Sequence, residues 1–265
     1  MPSPFKVYGS EPMSSPIVAS TQLEFPTHPE LEGRRVFISG ITDSAGELVA
    51  RGFARQRTRM VLQSERGSGQ AADFADSLKV QASSVRLFAA GIGSDQAAGE
   101  RLARAALGAY GGLDLVINMI GGRPSAAEQV SDQNGLEKAV ADDLRPALVL
   151  SRAVADHARN GGQAATIMHV CVVRSGAGAE FVRYAMLKSG LEAMAQDQAK
   201  RWFSHDICVY AFVPGVAGEP FDDGYDAENV VPARSNFESA LCAILLNAAG
   251  GRSRWLNGVT VAIPC

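Results

Sequence analysis

Seven short runs rich in Val, Ile and Leu recur along the chain, at residues 35–39, 59–63, 84–88, 113–118, 165–170, 207–213 and 259–263. Helix-like stretches separate them, at 46–56, 71–78, 95–110, 134–159, from Tyr184 to about Phe203, and at 237–248. A strand that is apolar on both faces needs cover on both faces. Alternation with helices is how a parallel sheet receives it. The expectation is therefore an α/β fold, a doubly wound parallel sheet of about seven strands with helices on both faces. Ligands in such sheets bind outside the carboxyl ends of the strands, where the strand order reverses.

Residues 1–33 do not share this pattern. Six of the twelve prolines lie there (Pro2, Pro4, Pro12, Pro16, Pro26 and Pro29), with many Ser and Thr and no apolar period. This composition predicts an extended N-terminal arm ahead of a single domain over 34–265. The net charge of −3 gives no reason to expect nucleic acid or another polyanion as partner. No apolar run has the length of a membrane span, and no basic start leads into an apolar stretch. Cys171, Cys208, Cys242 and Cys265 are scattered, as are the four histidines. Neither a metal site nor a disulfide framework is expected, and a reduced, cytoplasmic setting is.

Two local patterns carry chemistry. In Tyr184-Ala185-Met186-Leu187-Lys188 the tyrosine and the lysine stand one helical turn apart on one face. A phenol titrates near pH 10, and an adjacent ammonium stabilises its phenolate, so the pair can exchange protons closer to neutrality. The second pattern is Ser39-Gly40-Ile41-Thr42-Asp43-Ser44-Ala45-Gly46, which joins the first strand to the first helix. Gly40 and Gly46 permit a tight turn and close backbone approach, and the helix N-terminus offers free N–H groups to a pyrophosphate. Gly40, Thr42, Asp43, Ser44 and Gly46 are the candidate phosphate contacts.

Together these segments resemble the classical short-chain dehydrogenase/reductase family, of which the chain looks like a divergent member over about residues 34–265. The family carries Thr-Gly-x-x-x-Gly-x-Gly in the first turn; Gly40 and Gly46 match, while Ser39 and Ser44 replace Thr and the middle Gly. Asn118-Met119-Ile120-Gly121 stands for Asn-Asn-Ala-Gly, Pro214-Gly215 for the turn beside the nicotinamide, and Trp255-Leu256-Asn257-Gly258 for the turn into the last strand. The resemblance implies a Rossmann-type fold, NAD or NADP as cofactor, and a small carbonyl or alcohol as substrate. Tyr184 would be the general acid/base, with Lys188 lowering its pKa and binding the nicotinamide ribose. Asn118, Gly121, Pro214 and Gly215 would line the cofactor. Ser64 would meet the adenosine ribose, where Arg66 would favour a 2′-phosphate and Glu65 oppose it. The family also implies a homodimer or homotetramer.

The departures are as informative as the matches. The family's catalytic serine, thirteen residues before the tyrosine, is Cys171 here, a weaker donor that could be an ionised thiol or a small buried residue. The family's helix asparagine falls at Asp143, with Asp142 as the adjacent register. A carboxylate there could reach Lys188 through water, and Pro146 would free a carbonyl near Asp142 for that water. Gly91-Ile92-Gly93 replaces the acid expected near the adenine. Arg123, Arg174 and Arg183 are candidate anion contacts or solvated side chains, and 216–235 takes the place of the substrate loop. A protein of this fold that has left redox chemistry, for dehydration, cyclisation or ligand binding, is the alternative. A scaffold has only the proline-rich arm in its favour.

Overall fold

The first strand, β1 (Arg35–Ser39), lies inside the sheet and not at its edge. This computed structural model describes residues 26–41, 43–65, 68–89, 91, 95–121, 133–173, 179–215, 231–251 and 254–263. The remaining strands are β2 (Arg59–Ser64), β3 (Ser84–Ala89), β4 (Leu115–Ile120), β5 (Ala165–Cys171), β6 (Ile207–Pro214) and β7 (Thr260–Ile263). All pair in parallel, in the order β3-β2-β1-β4-β5-β6-β7, as the strand–helix alternation predicts. The chain winds outward from β1 in one direction and from β4 in the other. The crevice between β1 and β4 is thus the switch point.

The helices are α1 (Ser44–Arg55), α2 (Ser68–Leu78), α3 (Gln96–Tyr110), α4 (Gln133–Gly161), α5 (Ala179–Trp202) and α6 (Val231–Ala249). Alternate strand residues supply two cores. Phe37, Val116, Ile167 and Val209 pack under α3, α4 and α5, whereas Val36, Ile117, Met168 and Phe212 pack under α1, α2 and α6. β4, β6 and most of β5 are buried along their length, which is why they read as unbroken apolar runs. Local signals set several helix ends. Asp43 caps α1 by accepting from the Gly46 N–H, and Asp95 caps α3 by accepting from Ala97. α3 stops at Gly111, which takes the left-handed conformation at φ 72°.

Some boundaries differ from the sequence expectation, such as α6, which begins six residues early, while α4 spans nearly the expected stretch. β4 begins at Leu115, two residues late, because Asp114 turns its carboxylate to Arg35 at the amino edge of the sheet, with Nη2–Oδ1 at 2.6 Å and Nε–Oδ2 at 3.1 Å. α4 runs through Pro146 without a break. The packed body also starts before Arg34. Leu31 is fully buried in the second core, and the His28 N–H donates to Gln56 Oε1 at 2.8 Å. The last residues of the stretch read as an arm therefore lie against α1. Among the described residues no helix is long and apolar enough to cross a membrane.

Candidate active site

The carboxyl ends of β1, β4, β5 and β6 gather most of the residues singled out in the sequence. At the end of β1, Gly40 has φ +71°, and a Cβ there would collide with the Met119 carbonyl. Only glycine allows β1 and β4 to approach so closely. The Gly40 N–H donates to Gln63 Oε1 at 2.6 Å, and the Ile41 N–H donates to the Gln63 carbonyl at 3.1 Å. Gln63, buried at the end of β2, thus braces the turn, a role its sequence context did not signal. The turn delivers the chain into the N-terminus of α1. There Asp43 satisfies the Gly46 N–H, and the Ser44 hydroxyl donates to Glu238 Oε1 of α6 at 2.5 Å. Ser64 is turned inward, its hydroxyl donating to the Ile41 carbonyl at 2.7 Å. Its oxygen therefore serves the turn.

On the other side of the crevice, α5 carries Tyr184 and Lys188. Tyr184 is 2% exposed, and its hydroxyl donates to the Pro214 carbonyl at the end of β6, at 2.5 Å. Lys188 is only half-buried. Cys171 ends β5 at 1% exposure, with its thiol 3.8 Å from the Val173 carbonyl. Burial pushes this thiol up to about 12; the Asp143 charge raises it further, while the Val173 carbonyl contact and Arg183 oppose. Of the two readings of Cys171, the geometry gives the small, buried, protonated thiol. Gly121 follows β4 at φ +86°, where a Cβ would strike Val173. The Gly215 N–H closes on the Ile263 carbonyl at 2.6 Å, tying the β6 turn to β7.

Asp143 is the buried member of the Asp142/Asp143 pair, while Asp142 lies outside near Lys138 at 3.9 Å. The structure pairs Asp143 with Arg183. Asp143 Oδ2 accepts from Arg183 Nη2 at 2.7 Å, and each side chain is 5% exposed. Arg183, read from the sequence as an anion contact or a solvated side chain, is instead buried in α5 directly before Tyr184.

Asn118 faces inward. The register sets Ser39, Asn118 and His169 side by side on β1, β4 and β5. The Ser39 hydroxyl donates to Asn118 Oδ1 at 3.1 Å, and Asn118 Nδ2 donates to Ser151 Oγ of α4 at 3.2 Å and to His169 Nδ1 at 3.3 Å. His169 Nε2 lies 2.9 Å from Gln198 Oε1 of α5. Burial pushes His169 down to about 4, against the raising effect of the Gln198 hydrogen bond. The ring is neutral, with Nε2–H donating to Gln198 and Nδ1 accepting from Asn118. Gly91 lies near the Glu65 carboxylate. Thr42, Arg66, Ile92, Gly93, Arg123, Arg174 and residues 216–230 lie outside the described residues.

This arrangement puts a helix N-terminus and a close-approach glycine on one side of the switch point, and a phenol with a lysine on the other. Over residues 34–228 the chain matches the family described as short chain dehydrogenase. The chain belongs to the short chain dehydrogenase family. Among relatives of this family, it is 27% identical over 199 residues to an uncharacterized oxidoreductase of Mycobacterium tuberculosis, covering 70% of this chain and 68% of the relative. It is 27% identical over 186 residues to L-rhamnose 1-dehydrogenase (NAD(P)(+)) of Azotobacter vinelandii, covering 69% and 72%. The crystal structure of an NADH-dependent reductase complexed with NAD superposes with a TM-score of 0.71 at 21% identity, covering 89% of this chain and 97% of that one.

Proposed function

We propose that this short chain dehydrogenase is an NAD(P)-dependent oxidoreductase that interconverts a small carbonyl and an alcohol, with Tyr184 as general acid/base assisted by Lys188. The observation that carries the reading is the Tyr184 hydroxyl held at the carboxyl edge of β6, on the same helical face as Lys188. The residues around the switch point fit a dinucleotide. Gly40 places the β1 turn without a side chain beside the α1 N-terminus, which favours negative charge, and Gly121 and Pro214–Gly215 stand at the carboxyl ends of β4 and β6.

When bound, the reduced nicotinamide supplies a hydride to the carbonyl carbon. Tyr184 gives its proton to the carbonyl oxygen, so the substrate gains both and leaves as an alcohol. Lys188 stabilises the resulting phenolate, which regains a proton from solvent. In oxidation the same groups act in reverse. Tyr184 donates to the Pro214 carbonyl in the free protein, and a substrate oxygen would take that acceptor's place. Cys171 contributes shape more than polarisation, because a buried thiol is a weak donor. Ser64 and the Gly91 segment offer little to choose between NAD and NADP.

Fluorescence titration with NADH and NADPH, followed by turnover of Tyr184→Phe, tests this. Binding of one cofactor is expected, and the variant should keep that binding while losing about 10²–10⁴-fold in turnover. Failure to bind either cofactor ends the redox reading. The alternative, non-redox proton transfer or ligand binding in the same pocket, is favoured by the Glu238 carboxylate at the phosphate end. An ordered nicotinamide beside Tyr184 in a crystal would exclude it.

A further inference from the structure

Arg183, which directly precedes Tyr184 on α5, forms an ion pair with Asp143 of α4 at 2.7 Å, both side chains shielded from water. A lone carboxylate at Asp143 would act against Lys188. It would oppose the phenolate and raise the pH at which Tyr184 gives up its proton. We propose that Arg183 is a positioning residue that neutralises Asp143 and holds it to α5, so that the charge of Lys188 acts on Tyr184 undiminished. This rests on the reading of Tyr184 and Lys188 as the acid–base pair.

Three observations support it. Arg183 directly precedes Tyr184, so the ion pair tethers the first turns of α5 to the interior of α4 beside the phenol. Neither partner has water to screen it, so the pair must be compensated from within the protein. The two charges also reach the neighbouring site position with opposite sign, since Cys171 feels Asp143 raising and Arg183 lowering its titration. Among the described residues, the charged and titratable groups involved are Lys188 and Arg183 on α5, Asp143 on α4 and Cys171 on β5. From β6 comes the uncharged Pro214 carbonyl. Burial keeps the Cys171 thiol protonated, so it adds no charge of its own.

The test reads Tyr184 directly and needs no substrate. The free protein, labelled with ¹³Cζ-tyrosine, is titrated by NMR, with Tyr184→Phe assigning the signal and Lys188→Met checking that the lysine lowers its midpoint. Arg183→Met is expected to raise the midpoint by about one pH unit, and Asp143→Asn to lower it by a similar amount. The double variant D143N/R183M, which buries no charge, should return near the wild-type value and fold if either single variant does not. A purely structural tether would lower the melting temperature without moving the Tyr184 midpoint. An unmoved midpoint in the folded single variants overturns the proposal, as does a double variant far from wild type. A protein that binds no nicotinamide cofactor would instead remove the redox reading and leave this titration interpretable. If Lys188→Met leaves the midpoint unchanged, the acid–base reading itself fails.

Discussion

Ser44 occupies the first turn of α1, and its hydroxyl reaches a glutamate 194 residues further along the chain. In the free protein a carboxylate near a helix N-terminus is stabilising. A diphosphate placed at the same end would meet that charge as repulsion. Glu238→Gln is therefore expected to tighten NADH binding by roughly three- to tenfold. Fluorescence titration checks this, and unchanged or weaker affinity would count against the placement of Glu238 beside the phosphate end. The sequence showed that Ser44 replaces a glycine. It did not show where the hydroxyl goes, because α6 meets α1 only after the sheet is wound. Gly40 was more legible, since a glycine at a strand-to-helix turn has few other reasons to be there, and its φ of +71° is one that glycine alone adopts readily.

Among the elements, β5 joins β4 to α5 through one buried side chain. His169 passes hydrogen bonds from Asn118 to Gln198, and it does so neutral. With a folded titration near 4 against an ordinary 6.5, the unfolded chain takes up a proton before the native protein does. The stability from the neutral ring is complete above about pH 6.5 and drains away as the pH falls toward 4, on the order of 3 kcal/mol in all. His169→Gln removes the titrating group and keeps a donor and an acceptor. Urea denaturation of both proteins at about pH 7 and about pH 4.5 should show the wild type losing more stability between the two than the variant. Equal losses would mean that His169 is charged in the native state. The helical period made the Tyr184/Lys188 spacing legible in α5, because residues four apart share a face whatever the fold. The partner of Asp143 was not legible. Helix period places Arg183 on α5 and Asp143 on α4, but nothing local says how two helices separated by a strand are rotated against each other.

At the scale of the whole molecule, side chains of α3, α4 and α5 line a groove of about 1230 Å³. Arg145, Arg152 and Arg201 line it together with Asp156 and Asp197. A face that carries both signs can complement a second copy of itself about a two-fold axis. Light scattering is expected to give at least twice the chain mass. Charge reversal by Arg152→Glu with Arg201→Glu should weaken association at least tenfold. A monomer in the unaltered protein would remove this expectation.

Sequence alone determined the parallel α/β sheet, the position of the glycine turn between β1 and α1, and the spacing of Tyr184 and Lys188 on one helix. Each follows from a local rule, whether the burial of apolar strands on both faces, the conformational freedom of glycine, or the 3.6-residue helical repeat. Tertiary structure alone decided that Asp143 answers to Arg183, Ser44 to Glu238 and His169 to Gln198. These are contacts between elements far apart in the chain. Their energies depend on how buried side chains of different layers come to face one another, and no periodicity within a single element encodes that.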